Sequence, residues 1–295
     1  MMLNLYPRTQ IDQVQFKDRM CNLAHLNPTS DEIENTPDGS QNLSPRILIL
    51  GGTGEGTELA SRLAHRSDLY AISSLAGRVS EPTRPEGVVR VGGFGGVDGF
   101  ASFLVKENIG MVVDATHPFA VRISRNAELA CARLGLPLIA FIRPPWGKTK
   151  ADLWYEVQNF EEAASIVDVQ NGRVFLSIGR QEAGSFAACH NTWFLIRAIE
   201  EPTGRLPRFH EILLRRGPFN LDEELRLLED HSIDYVISKN SGGSATYTKI
   251  QAARLLEIPV VMVKRPVKHT VPTVETLEEV LVEIDRLIQS NRTTQ

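Results

Sequence analysis

The sequence predicts an α/β protein: two tandem Rossmann-like domains whose mainly parallel sheets face one another across an active-site cleft. Three observations carry that prediction. From Arg46 onward, short β-branched runs alternate with amphipathic stretches, as parallel strands joined by crossover helices do. The first run enters a glycine-rich turn, GGTGEG (51–56), directly ahead of a helical stretch. Finally, Ile109–Pro144 aligns with Ile233–Pro266 with a two-residue change of offset. A repeat period of about 120 residues is too long for a solenoid unit and suits a duplicated domain.

Taken in order, the elements fall into two series. The first offers strands at Arg46–Leu50, Leu69–Ser74, Val88–Val91, Gly110–Asp114 and Leu138–Ile142, with helices near Glu55–Arg66, Val97–Glu107 and Phe119–Leu134. Short β-branched runs mark the strands, and amphipathic spacing marks the helices. The second begins near Arg173, with strands at Val174–Ile178, Trp193–Arg197, Glu211–Leu214, Tyr235–Ile237 and Val260–Val263. Its helices lie near Leu221–Asp230, Ala245–Leu256 and Thr276–Ile288. Each series runs on through a valine into a Glu-Glu helix: Val157 with Glu161 and Glu162, then Val274 with Glu278 and Glu279. The division is therefore a dinucleotide-binding domain over 45–168 and a substrate-binding domain over 169–295. Residues 1–44 mix Asn, Gln, Asp, Pro and Ser around isolated apolar residues and read as a disordered N-terminal extension, or as a start placed upstream of Met20.

Composition narrows the function classes. The chain has 295 residues, a formal net charge of −4 and three widely spaced cysteines, Cys21, Cys131 and Cys189. Such a near-neutral balance carries no polycationic footprint for nucleic acid. Without a Cys-x-x-Cys pair there is no zinc cage or disulfide framework, and a reducing cytoplasm fits best. Apolar runs such as Leu138–Ile142 are strand-sized, far short of the roughly 20 residues that span a bilayer. Neither H-E-x-x-H, nor a P-loop lysine, nor a Ser-His-Asp spacing occurs, which leaves redox chemistry. The expected protein is cytoplasmic, a monomer or weak oligomer, acting on a small molecule with no metal ligands of its own.

Site residues are expected at the carboxyl ends of the strands, where open parallel sheets bind ligands. In GGTGEG, residues Gly51, Gly52, Thr53, Gly54, Glu55 and Gly56 bring backbone close to a pyrophosphate at a helix N-terminus. Counting the fingerprint from Gly52 puts Thr57 at the third glycine position, which predicts looser helix–sheet packing. Ser73, Ser74 and Arg78 stand where an NAD site carries an acidic residue; hydroxyls and a guanidinium suit a 2′-phosphate, favouring NADPH over NADH. Gly92, Gly93 and Gly95 surround Phe94, whose ring offers a flat apolar face. Thr116 and His117 follow the fourth strand, and His117 is a candidate proton donor because its reference pKa lies near neutrality. The matched end in the second half, Lys239, Asn240, Ser241, Gly242 and Gly243, is dense in donors and reads as a grip for carboxylate or phosphate. Lys239 is a second candidate proton donor, with water an equal alternative. Among many arginines, the strand-end Arg180, Arg197 and Arg215 are the expected carboxylate contacts.

Eight motifs in order, GGTGEG (51–56), SLAGR (74–78), RVGGFGG (90–96), DATHPFA (114–120), RPPW (143–146), GPF (217–219), KNSGG (239–243) and AAR (252–254), together resemble the precorrin-6A reductase family of corrin biosynthesis, which includes a cobalt-precorrin-6A form. The resemblance runs from about Ile47 to Pro266 and departs at Thr57, where an Arg is common. It implies a cofactor and a tetrapyrrole macrocycle held between two Rossmann-like domains. It also implies the reaction: hydride from C4 of a reduced nicotinamide to a ring carbon, a proton to the adjacent carbon, and precorrin-6B as product. The acetate and propionate arms of such a macrocycle suit an Arg-rich cleft. On this map Gly92–Gly95, Thr116 and His117 flank the nicotinamide, and Lys239–Gly243 with the strand-end arginines hold the carboxylates. Two other classes fit facing Rossmann-like halves: a nucleotide-sugar glycosyltransferase, and a non-catalytic module that binds NADP or a tetrapyrrole.

Overall fold

Strands with both faces apolar must be covered on both sides, and β1 (Arg46–Leu50) shows it: its last four residues are all buried. The computed structural model describes residues 44–77, 84–269, 271 and 273–293, so the predicted extension up to residue 43 and Arg78 lie outside the described residues. After β1 come β2 (Tyr70–Leu75), β3 (Val88–Val91), β4 (Met111–Asp114) and β5 (Leu138–Phe141). The second series is β6 (Trp154–Val157), β7 (Arg173–Ser177), β8 (Trp193–Ala198), β9 (Phe209–Leu214), β10 (Tyr235–Lys239) and β11 (Val260–Val263), and a short β12 (Thr273–Val274) closes the set. Helices α1 (Gly54–Ala64), α2 (Gly96–Lys106) and α3 (Val121–Leu134) serve the first series. They are followed by α4 (Phe160–Gln170), α5 (Leu221–Asp230), α6 (Thr248–Leu255) and α7 (Leu277–Thr293).

The strands form two six-stranded sheets, ordered β12-β5-β4-β1-β2-β3 and β6-β11-β10-β7-β8-β9, and every strand pair is parallel. Each sheet thus has the doubly wound order, but its outermost strand beside the fifth comes from the other series. β6 leaves the first series to pair with β11, and β12 returns from the second to pair with β5. The partition of strands therefore differs from a cut at 168/169. The helices that follow show why. Ala163, Ala164 and Val167 of α4 pack into the second core with Val174, Leu176 and Ile237. Leu277, Val280, Ile284 and Ile288 of α7 complete the first core with Ile47, Ile49, Met111 and Val113. Each exchanged strand carries its covering helix with it, so the matched valines, Val157 and Val274, mark equivalent points of the exchange.

Local chemistry sets the helix starts. Asn159 and Asn220 cap α4 and α5, their side-chain oxygens accepting from the N–H of Glu162 and Glu223. α3 begins at Val121 rather than at Phe119, because Phe119 turns away to pack against the second core. Cys131 and Cys189 are buried free thiols, pushed up to about 12 and about 11 by burial, which keeps them protonated and unreactive. Among the described residues no helix is long and apolar enough to cross a membrane.

Candidate functional site

The Gly-rich loop lies where β1 meets α1, at the switch point between β1 and β4. Thr53 is the N-cap of α1: its Oγ1 accepts from Gly56 N–H at 3.0 Å and donates to Ala115 O at 2.8 Å, tying the loop to the end of β4. Gly51 N–H donates to Ser74 O at 3.0 Å, tying it to β2 as well. Gly52 has φ +106, a conformation that favours glycine, and a side chain at Gly52 or Gly54 would meet nothing within 4 Å. That open space over exposed backbone fits a pyrophosphate. The expected looseness at Thr57 does not occur. Gly56 takes the packing role: its Cβ would stand 3.3 Å from both Ala115 O and Ala115 Cβ, so only glycine lets helix and sheet approach this closely.

At the ends of β2 and β3, Ser73 and Ser74 are buried, and Ser74 Oγ accepts from Arg90 Nη1 at 3.0 Å. Arg90 also donates to Gly92 O and Gly93 O, both at 3.0 Å, and so holds the second glycine cluster in place. Its guanidinium covers the Phe94 ring at 4.0 Å, while Phe100 and Phe103 of α2 take the ring's other contacts. Phe94 is therefore packing for α2, not the flat face expected. Arg90 escapes sequence reasoning because its partners depend on strand register.

The DATHPF turn is organised by Asp114, which is fully buried. Asp114 Oδ1 accepts from Thr116 N–H (2.9 Å) and Thr116 Oγ1 (2.6 Å). Lys268 Nζ lies at 3.5 Å from Oδ1, and His269 Nε2 lies 2.9 Å from Oδ2. Burial opposes ionisation, but the His269 hydrogen bond and the Lys268 charge hold the carboxyl well below the usual carboxylate range. Lys268 and His269 belong to the segment that returns from β11 to β12, and Lys268 Nζ also donates to Thr116 O at 3.0 Å. His117 reaches across to the second half: Nε2 is 3.0 Å from Ser241 Oγ, and Nδ1 accepts from Phe119 N–H. Burial, then Lys239, Arg143, Lys268 and Arg265, push its pKa down to about 2. Such a shift keeps His117 a neutral imidazole at physiological pH.

The two matched strand ends do face each other. A cleft at the ends of β1, β4 and β5 is lined by Thr53, Glu55, Thr116, Pro118, Ile142 and Arg143. The KNSGG turn closes against the RPPW segment, and this engages much of its donor set. Asn240 exchanges two bonds with the Trp146 backbone, and the Trp146 indole donates to Gly243 O at 2.7 Å. Ser241 O accepts from Arg143 and Arg265, and a side chain at Gly242 would collide with Pro144 O at 2.1 Å. Asn240, Ser241, Gly242 and Gly243 therefore join the halves. They are not the open anion grip expected.

Of the expected carboxylate contacts, Lys239 Nζ pairs with Glu182 at 3.2 Å beside the Phe119 ring, and Arg180 pairs with Glu200 at 2.7 Å. Arg197 is buried, clamped by Glu224 and covered by Phe219 at 3.7 Å, so its guanidinium is engaged within the second half. Arg215 is exposed just beyond the end of edge strand β9, where its N–H donates to Ala198 O at 2.9 Å. Lys249, which sequence reasoning misses, is buried under Trp146 with its ammonium 4.9 Å from the ring. Its Nζ donates to Thr246 O at 2.7 Å. Burial and the Arg197 charge lower its pKa to about 7, against a smaller opposing pull from Glu224.

The chain is similar to known proteins in sequence and in fold. The family model described as "Precorrin-6x reductase CbiJ/CobK" matches residues 46–285. A precorrin-6A reductase from Sinorhizobium sp is 49% identical over 240 residues, covering 80% of this chain and 91% of the relative. One from Rhodococcus erythropolis is 46% identical over 235 residues, covering 80% and 94%. Among solved structures, "CobK precorrin-6A reductase" superposes with a TM-score of 0.78 at 38% identity, covering 82% of this chain and 97% of that one. Matched along nearly all of its described length in sequence and in fold, the chain belongs to the precorrin-6x reductase CbiJ/CobK family.

Proposed function

We propose that this chain is a precorrin-6A reductase working with NADPH, and that the macrocycle lies between the Gly-rich first half and the Lys239 and Arg180 side of the second half. The observation that carries the reaction is its family membership, with relatives named precorrin-6A reductase matched over nine-tenths of their length. Support for the site comes from the open, glycine-bounded space above Gly52 and Gly54 at a helix N-terminus. When bound, a reduced nicotinamide supplies the hydride that goes to a ring carbon of the substrate. The loop Gly51–Gly56 holds the pyrophosphate through backbone N–H groups. Ser73, Ser74 and Arg78 take the adenosine end, and Gly92–Gly95 with Thr116 border the nicotinamide. Lys239 and Arg180 receive carboxylate arms by exchanging their internal Glu182 and Glu200 partners. His117, neutral and bonded to Ser241, positions the two walls, and the proton for the adjacent ring carbon comes from water or Lys239.

Positioning rather than a strong nucleophile is what such a step needs. The test is anaerobic mixing with NADPH and enzymatically prepared precorrin-6A, with and without cobalt, then with NADH. Macrocycle-dependent loss of nicotinamide absorbance, with a product two hydrogens heavier, is expected. Absence of oxidation by a folded protein with any pairing would refute the reading.

A further inference from the structure

Arg143 and Arg265 hold matched places in the two repeats, each just beyond the fifth strand of its sheet, yet they are used differently. Arg265 directs Nε to Asn240 O, Nη1 to Arg143 O, and Nη2 to Pro144 O and Ser241 O, at 2.7, 2.7, 3.1 and 2.9 Å. Backbone carbonyls thus engage every nitrogen of its guanidinium. Arg143 donates Nε to Ser241 O at 2.8 Å and Nη1 to Glu55, while Nη2 has no protein partner among the described residues. An arginine with donors to spare lines the cleft beside the Gly-rich loop.

Its partner is in a telling place. Glu55 lies in the first turn of α1, where the helix N-terminus attracts negative charge. A carboxylate in that first turn would repel a phosphate bound at the same helix N-terminus. The pair is not a solvated surface bridge: the side chains are 17% and 31% exposed. Gly243 backs both, since a Cβ there would stand 3.0 Å from Glu55 Oε1 and 3.2 Å from Arg143 Nε.

We propose that Arg143 is a cofactor-binding residue that exchanges Glu55 for the pyrophosphate of the dinucleotide, so that Glu55 competes with the cofactor for this arginine. The inference rests on the reading of the Gly-rich loop as the pyrophosphate site. Only Nη1 changes partner and Nη2 gains one, because Nε stays on Ser241 O. An arginine fork suits a pyrophosphate, whose oxygens accept two parallel bonds.

The test titrates NADPH, without macrocycle, into the wild-type chain, Arg143→Gln, Glu55→Gln and the double variant, following nicotinamide fluorescence and recording thermal melts alongside. Arg143→Gln weakens binding by about 10- to 100-fold. Glu55→Gln tightens it by about two- to five-fold, and that gain vanishes when Arg143 is also Gln. Unchanged binding in Arg143→Gln, or weaker binding in Glu55→Gln, overturns the proposal, as does an Arg143→Gln effect confined to the KM for the macrocycle. If the wild-type chain binds no NADPH, the reading of the loop fails first. If Arg143→Gln does not fold, Glu55→Gln decides alone.

Discussion

At the scale of single residues, two buried bases make predictions of the same sign in different pH ranges. His117 is held neutral in the folded chain, with its pKa pushed down to about 2, while in the unfolded chain it titrates near 6.5. Below pH 6.5 the unfolded state binds a proton that the folded state refuses. Stability is therefore lost as the pH falls, by up to about 1.4 kcal/mol per pH unit from this group. His117→Gln should flatten that acid limb in urea melts between pH 4 and 7, and it should leave the pH profile of kcat without a missing limb near 6.5. A lost limb would restore His117 as an acid. Lys249 behaves in the other range. With a folded pKa of about 7 against 10.5, the unfolded chain binds the extra proton between those values, so stability rises with pH across that window. Lys249→Met should stabilise the fold by about 1–3 kcal/mol at pH 7, with the gain shrinking toward pH 10. An equal effect at both pH values would show that the ammonium is not penalised.

At the scale of elements, Asp114 fastens the returning segment to the first sheet. Asp114→Asn would leave the Lys268 ammonium buried without its carboxylate, and a broken buried pair of this kind costs about 3–5 kcal/mol. Adding Lys268→Met should recover part of that loss in the same denaturant series; if the double variant is no better, the pair is not what holds the segment. The loop before α1 separates packing from binding. Gly56→Ala places a Cβ against the Ala115 carbonyl and should cost about 1–3 kcal/mol. Gly54→Ala meets open space, so it should melt as the wild type does but bind NADPH more weakly. Matching effects of the two variants would argue against a ligand above Gly54. These elements also show what the sequence makes legible. β1, β3 and β11 are readable to the residue because each is a short β-branched run ended by Gly or a charged residue. β6 escapes because WYEV is buried only at its two ends, and β12 because it has two residues and exists only by pairing with β5. The same limit governs the site. GGTGEG and DATHPF declare themselves through local turn chemistry, whereas Arg143, Arg265, Lys268 and His269 find partners more than 80 residues away. No local pattern encodes such a meeting.

At the scale of the whole molecule, the exchange of β6–α4 and β12–α7 should make folding a single event. The first core needs Leu277, Val280, Ile284 and Ile288, which arrive only after the second sheet's strands have been laid down in the chain. Each fully buried side chain of this kind contributes about 1.5–3 kcal/mol, so four supply on the order of 6–12 kcal/mol. That is comparable with the whole stability of an ordinary domain, about 5–15 kcal/mol. The first half cut off at residue 150 should therefore fail to fold, even though it keeps five of its six strands, the Gly-rich loop and α1 to α3. Fusing residues 271–293 behind Pro144 through a flexible linker should restore it, because β12 then reaches β5 and α7 reaches its cover position within one piece. The intact chain, whose two sheets lie in one compact unit, should melt in one calorimetric transition with van't Hoff and calorimetric enthalpies equal. Two separate transitions, or a soluble folded fragment 44–150, would mean that the exchanged elements decorate two independent domains instead of joining them. The two sheets would then be free to move apart without either half unfolding.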